Sequence, residues 1–250
     1  MPSDHAKGFD MKRAMKIVGA VVLLLTIAAV AGWYSAFGRN SPIVDGRELA
    51  PGVVTVKDGF VSAYMLDVAP GRVALIDAGK DREARAILAA LAKRGLSKES
   101  VAAIFLTHGH GDHTAGCKVF PTAAVYAMEN ESTLIGDAAK VDHPLRDGAV
   151  VDIGDLKVEA FAVPGHTFGS AAYLARGVLF FGDSAGASKD GEMMKAVRLF
   201  SKDSNQNVAS LRALEARLAP RASEVKELAF AHTGPLAGFT AFASFVKRGD

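Results

Sequence analysis

Apolar positions along the chain fall into short runs broken by glycine, proline and charged turns, and the runs follow two different periods. Residues 53–56 and 61–68 are rich in valine and leucine on either side of Lys57-Asp58-Gly59, which predicts a hairpin. Residues 73–76 read as a buried strand ending at Asp77, and 101–107 and 123–128 read the same way. Between them Ala86, Ile87, Ala90 and Leu91 recur at helical spacing, so a helix is predicted over 83–94 with Gly95 as its stop.

The second half repeats the style. Residues 149–153, 156–163, 171–175 and 178–181 predict strands, with turns at Gly154-Asp155 and Arg176-Gly177. Val208, Leu211, Leu214 and Leu218 mark a helix, 228–231 a last short strand and 235–246 a final helix. Residues 39–52, with Pro42, Gly46, Pro51 and Gly52, read as a linker or entry loop. Mixed strands and helices in two halves imply two sheets packed together with helices outside, in one domain over 53–250.

One stretch breaks both periods. Residues 17–38 are 22 consecutive positions without a charge, and as a helix they would span roughly 33 Å, enough for a hydrocarbon core of about 30 Å. Lys12, Arg13 and Lys16 precede the run, Trp33-Tyr34 sit where interfacial aromatics belong, and Ala29-Val30-Ala31 has the small residues of a cleavage site. A signal anchor and a cleaved signal peptide both fit, and either sends the body to the periplasmic or extracellular side. The anchor reading holds it at the inner membrane through the N-terminal helix.

The charge balance supports that division. The chain of 250 residues has a net charge of +2, and residues 1–31 supply it, with Lys7, Lys12, Arg13 and Lys16 against Asp4 and Asp10. The remaining 25 basic and 25 acidic residues leave a neutral body, without the basic excess that nucleic acid requires. A single cysteine, Cys117, excludes an internal disulfide and reads as a small buried hydrophobe.

Chemistry concentrates in the histidines. His108, His110, His113, His166 and His232 fall at strand ends or in glycine-rich turns, and the densest group is Thr107-His108-Gly109-His110-Gly111-Asp112-His113. Residues two apart in extended chain point the same way, so His108 and His110 can share one ion. Gly111 lets the chain turn and aim Asp112 and His113 at a second. Imidazole and carboxylate suit a borderline cation such as zinc, and crowding these groups without a cation would stack desolvation costs.

The segment resembles the HxHxDH signature of the metallo-β-lactamase superfamily. The rest of the family's pattern follows in order: Val163-Pro164-Gly165-His166-Thr167-Phe168-Gly169-Ser170, Phe180-Phe181-Gly182-Asp183 and Ala231-His232-Thr233-Gly234, with Leu75-Ile76-Asp77-Ala78-Gly79 upstream. The resemblance covers about residues 53–234. It implies a four-layer αββα fold and two metal ions, zinc first and iron or manganese as alternatives. His108, His110 and His166 would hold one ion, Asp112, His113 and His232 the other, with Asp183 bridging and Asp77 supporting the loop from behind.

The resemblance also implies a reaction. Water between two cations becomes a hydroxide nucleophile that cleaves an ester-like bond in a small-molecule substrate, and Asp112 is the catalytic carboxylate that steers it or passes a proton. Asp183 stands where zinc β-lactamases carry cysteine or serine, so the set is closer to glyoxalase II-like thioesterases and lactonases. No basic cluster near the C-terminus matches the glutathione site of glyoxalase II. A mononuclear iron persulfide dioxygenase of the same fold would need only His108, His166 and Asp183, and a non-catalytic module would be expected to lack ligands. Residues 184–199, with Met193-Met194, Lys195 and Arg198, read either as one wall of the substrate pocket or as a surface loop and amphipathic helix. His143 reads as a loop histidine, and Tyr126 and Tyr173 as packing residues.

Overall fold

The computed structural model describes residues 11–249; Asp4, Lys7 and Asp10 lie outside them. The chain divides into two compact units at Arg39 and Asn40. The first contains one helix, α1 (Met11–Phe37), whose stretch Met11–Tyr34 is long and apolar enough to cross a membrane and is buried nowhere in the protein.

The second unit holds two main sheets. The first runs in sequence order as β1 (Glu48–Ala50), β2 (Val53–Asp58), β3 (Val61–Ala69), β4 (Arg72–Ile76), β5 (Val101–Phe105), β6 (Ala124–Met128) and β7 (His143–Leu145). In the second, β8 (Val150–Ile153), β9 (Leu156–Ala162), β10 (Ala171–Ala175) and β11 (Val178–Phe180) pair as an antiparallel meander. A small hairpin, β12 (Ala185–Ala187) with β13 (Met193–Lys195), follows it. The second sheet is completed by β14 (Glu227–Ala229), parallel to β11, and β15 (Leu236–Ala237).

The helices are α2 (Arg85–Lys93), the single turns α3 (Gly111–Thr114) and α4 (Ser132–Ile135), α5 (Ser204–Leu218) and α6 (Thr240–Arg248). Between the sheets, Tyr64, Leu66, Ile76 and Phe105 meet Val158, Tyr173 and Phe180. Ile87 and Leu91 of α2 seal the outer face of the first sheet. Leu211 and Leu214 of α5 and Phe242 and Phe245 of α6 seal that of the second. Each such side chain, fully buried, contributes about 1.5–3 kcal/mol. The result is the expected αββα order of layers.

Three stretches differ from the pattern-based expectation. The stretch expected as a linker, 39–52, contains β1, because Leu49 is buried and Glu48 and Ala50 pair with β2. Residues 184–199 form the β12–β13 hairpin and a 3-10 turn at Arg198–Phe200 instead of a loop and helix. Thr233 Oγ1 accepts the Ala187 N–H at 2.8 Å, and Arg248 donates to the Met193 carbonyl at 2.8 Å, so tertiary partners hold these short strands. The final helix begins at Thr240 and not at residue 235. Leu236 pairs with β14, and Gly238 (φ +69°) turns the chain before Phe239, Phe242 and Phe245 resume the helical spacing.

Strand direction decides where the chemistry collects. The parallel β4–β5 pair brings Asp77 and His108 out at one edge, and the parallel β11–β14 pair brings out Asp183 and His232. Antiparallel β10 begins where β11 ends, which puts the His166 turn there as well. The sheets are stitched together at this edge: Ser62 donates to the Ala231 carbonyl (2.8 Å), Ala171 to Thr107 (2.8 Å), Tyr64 Oη to Phe230 (2.6 Å) and Tyr173 Oη to Leu106 (2.8 Å). Tyr173 is thus a packing residue with a satisfied hydroxyl, and Tyr126 stacks on Phe105 and on His143, the exposed first residue of β7.

Candidate metal centre

Seven side chains converge at this edge in two groups, His108–His110–His166–Asp183 and Asp112–His113–His232. In the first, His108 Nε2 lies 3.0 Å from His110 Nδ1 and 3.2 Å from His166 Nε2, and His166 Nε2 lies 3.1 Å from His110 Nδ1. A tetrahedral zinc with nitrogens at its usual bond length separates them by about 3.3 Å, so this triangle has the spacing of one coordination sphere.

Hydrogen bonds on the far side of four of the rings, those of His108, His166, His113 and His232, fix which nitrogen points inward. Asp77 Oδ2 accepts from the Thr107 hydroxyl (2.8 Å), so that hydroxyl oxygen receives the His108 Nδ1 proton across 3.1 Å. Ser201 Oγ donates to the Val197 carbonyl (2.9 Å) and receives the Nδ1 proton of His166 across 3.3 Å. Asp77 Oδ2 accepts the His113 Nδ1 proton at 2.7 Å, and the Phe60 carbonyl accepts that of His232 at 2.9 Å. Carboxylates and carbonyls of this kind behind a ligand histidine set its tautomer and raise its basicity.

Asp77 can do this because of its backbone. It sits at φ +60°, a left-handed conformation in which aspartate is enriched, and it also takes the Thr107 N–H at 2.8 Å. Gly182, before Asp183, is at φ +54°, and a Cβ there would overlap the Thr107 hydroxyl that orients His108. These two turns make β4 and β11 deliver their residues at the required angle.

Asp183 faces both groups. Its Oδ2 lies 3.5 Å from His166 Nε2 and 3.9 Å from His108 Nε2, while its Oδ1 lies 3.2 Å from His113 Nε2 and 3.1 Å from His232 Nε2. Asp112 Oδ2 stands 3.3 Å from His232 Nε2 and 3.8 Å from His113 Nε2. Among the described residues, the buried atoms His113 Nε2 and Asp183 Oδ1 have no hydrogen-bond partner. Two inward-facing orphans in a cluster of neutral and anionic donors are costly to bury unless a cation sits between them. The residues fit divalent metal ions.

The groups differ electrically. Burial pushes His166 down to about 4 and His108 well below the ordinary histidine range, the latter aided by neighbouring His113. For His113 and His232 burial acts in the same direction but loses. Asp183 and Asp77 raise His113 well above its usual value, and bonds to Asp112 and Asp183 raise His232 to about 10. Burial opposes ionisation of Asp183, yet His113 and His232 hold its carboxyl well below the usual range.

One residue at the centre carries no sequence motif. Glu131, 1% exposed, follows β6, and its Oε1 accepts the Gly109 N–H while its Oε2 accepts the Gly169 N–H, both at 2.7 Å. Gly109 lies between His108 and His110, and Gly169 follows His166, so one carboxylate ties together the two loops of the first group. A Cβ on Gly169 would collide with the Glu131 backbone. Only the spacing of the fold brings Glu131 there. Cys117 is buried, with burial pushing its thiol up to about 12, so it is inert packing.

The model of the metallo-beta-lactamase superfamily matches residues 56–223. The chain belongs to that superfamily. The hydroxyacylglutathione hydrolase of Dechloromonas aromatica (strain RCB) is 37% identical over 143 residues, which are 56% of this chain and 50% of that protein. The hydroxyacylglutathione hydrolase of Xanthomonas euvesicatoria pv. vesicatoria (strain 85-10) is 32% identical over 152 residues, 59% and 55% of the two chains. The chain spans about half the length of the curated relatives it matches. Among solved structures, a B3 metallo-beta-lactamase with an active-site glutamic acid superposes with a TM-score of 0.63 at 21% identity, covering 87% of this chain and 91% of that one. A metallo-beta-lactamase family protein from Thermus thermophilus gives 0.58 at 22% identity over 81% and 80%. These structural likenesses establish the fold.

Proposed function

We propose that this member of the superfamily is a metal-dependent hydrolase of ester-like bonds in small molecules, with a lactone or thioester as the leading substrate class. The observation that carries the reading is the inward convergence of His108 Nε2, His110 Nδ1 and His166 Nε2 beside a carboxylate that also faces a second group. Zinc is the leading cofactor, two ions per chain, held by the first group and by Asp112, His113 and His232, with Asp183 shared. When bound, such ions lower the pKa of water and polarise a carbonyl.

The protein's own groups then do the rest. Asp112 is the more exposed of the two site carboxylates, 25% against 12% for Asp183, and its Oδ2 has only His232 within 3.5 Å among the site histidines. It is placed to accept a proton from water and deliver it to the departing oxygen or sulfur. Asp77, Thr107, Ser201 and the Phe60 carbonyl hold the imidazoles of His108, His113, His166 and His232 at fixed tautomers. The hydroxyacylglutathione hydrolase relatives support a thioester, and the second group, Asp112, His113 and His232, supports a two-metal site over a mononuclear oxygenase. The apolar run of α1, with Lys12, Arg13 and Lys16 in its first turns, supports export and tethering to a membrane with the body outside.

The test is direct. Protein purified with bound metal quantified is assayed on lactones, thioesters, a phosphodiester and a cephalosporin, with oxygen uptake followed on a persulfide. Two equivalents of metal and turnover of a lactone or thioester are expected. One iron per chain with persulfide-dependent oxygen uptake would overturn the proposal.

A further inference from the structure

The turn after β13 borders the centre and has an unusual composition. Arg198-Leu199-Phe200-Ser201-Lys202 alternates cations with large apolar side chains. Leu199 is 81% exposed and Phe200 53%. The turn is fastened to the metal-ligand loop: Ser201 Oγ lies 3.3 Å from His166 Nδ1, and the Lys202 N–H donates to the His166 carbonyl at 3.0 Å. Lys195, Arg198 and Lys202 line one open cavity of about 560 Å³ beside that loop.

The charge lining this cavity is mostly positive, three cations to one carboxylate. Among the described residues none of the three cations has a carboxylate within ion-pairing distance, unlike Arg85, Arg217 and Arg221 elsewhere on the surface. The one carboxylate lining the cavity, Asp203, is engaged as the cap of α5, where its Oδ1 accepts the Asn205 and Gln206 N–H groups at 2.9 Å each. Three exposed cations around one concavity form a recognition surface for an anion.

Apolar surface flanks the cations and the ligands. Phe168, two residues after His166, is 69% exposed, and on the other group Phe60 is 60% exposed and stacks on the His232 ring at 5.7 Å. Lys80 Nζ lies 5.3 Å over the Phe60 ring, which leaves Phe168 and Leu199 as the open apolar area on the side of the cations.

Building on the hydrolase reading above, we propose that this wall selects amphiphilic acyl substrates, esters or thioesters with a hydrocarbon segment and a negatively charged group. The anionic group pairs with Arg198, Lys202 and Lys195, and the hydrocarbon lies against Phe168 and Leu199. Water supplies OH to the acyl carbon and H to the departing oxygen or sulfur, so no co-reactant is needed.

The experiment uses the metal-loaded full chain and paired thioesters of two- to ten-carbon acyl groups, each with and without a terminal carboxylate. The charged member is expected to be preferred at least tenfold in kcat/KM for acyl groups of six carbons or more. That ratio should fall toward one in an Arg198→Gln/Lys202→Gln double variant and at high salt, where exposed charges are screened. In parallel, calorimetric titration with decanoate should give at least tenfold weaker binding to the double variant. Phe168→Ser should flatten the dependence on chain length. Turnover with a charged-to-neutral ratio near one would overturn the inference and leave the hydrolase intact. Absence of all turnover would overturn the hydrolase reading, and the decanoate titration then decides the inference, with equal binding to wild type and double variant overturning it.

Discussion

The two proposed ligand groups share Asp183, yet they solve opposite electrostatic problems. In the first, mostly buried group the protein holds His108 and His166 ready as free bases, with His166 down at about 4. In the second group His113 and His232 are drawn by carboxylates toward the protonated state, with His232 up at about 10, while Asp112 beside them is held ionised. The first group therefore waits for a cation with little to displace. The second already binds protons, and a metal ion must compete with them. Hydrogen bonds behind the rings preorganise histidines of both groups; what distinguishes the second is the negative charge of Asp112 and Asp183 facing its imidazoles at 3.1–3.3 Å.

The largest expected effect breaks the first group outright. His110→Ala should lose the metal there and at least about a hundredfold in turnover, since removing even an outer hydrogen-bond partner of a ligand costs about 10–100-fold. Metal analysis and kinetics on the same preparation check it, and full activity would sink the ligand assignment. Asp77→Asn keeps the shape and the left-handed backbone but removes the charge behind His113. It should cost about 10–100-fold in metal affinity at the second group and less at the first, which it reaches only through the Thr107 hydroxyl behind His108, so competition titration with a chelator should show two sites weakened unequally.

Glu131→Gln is the counterpart on the other side. It replaces an acceptor oxygen with an amide NH₂ facing a backbone N–H, leaving a buried donor unsatisfied at a cost of about 1–3 kcal/mol. Thermal unfolding should report that loss, with metal affinity weakened at the first group only. Loss at both groups equally would show that the clamp acts on the whole fold.

The smallest effect is in pH. A histidine raised in the folded state, like His232, adds stability that is complete below its unfolded value of about 6.5 and is lost as pH rises toward 10. One lowered in the folded state, like His166, adds stability above about 6.5 that is lost as pH falls toward 4. Metal-free protein should thus melt highest near the middle of that range. From pH 6 to 9 metal affinity should rise more steeply at the second group, and equal slopes in the two titrations would break the contrast.

Much of this was legible in the chain, for physical reasons. Seven potential ligands stand in glycine-rich turns directly after strands, and strand ends are where side chains of different strands can meet. The helix at Arg85–Lys93 and the strands through Val61–Ala69 and Ala171–Ala175 follow from periodicity, because their buried faces are continuous. The β12–β13 hairpin was not legible, since Ala-Gly-Ala and Met-Met-Lys have no strand period and are held by Thr233 and Arg248 from far along the chain. Glu131 was invisible for the same reason. Its partners are 22 and 38 residues away, and nothing adjacent to it in sequence marks its carboxylate as buried.

The hydrogen bond from His232 to the Phe60 carbonyl has a bearing on how this protein can vary. The tautomer of a proposed ligand is written into the main chain of a hairpin turn, where no side-chain substitution erases it. The ring of that same residue is exposed and stacks on the His232 imidazole, covering one face of it without setting its tautomer. Exchange of the side chain at position 60 would therefore remove that cover while leaving the carbonyl, and with it the orientation of the imidazole, in place.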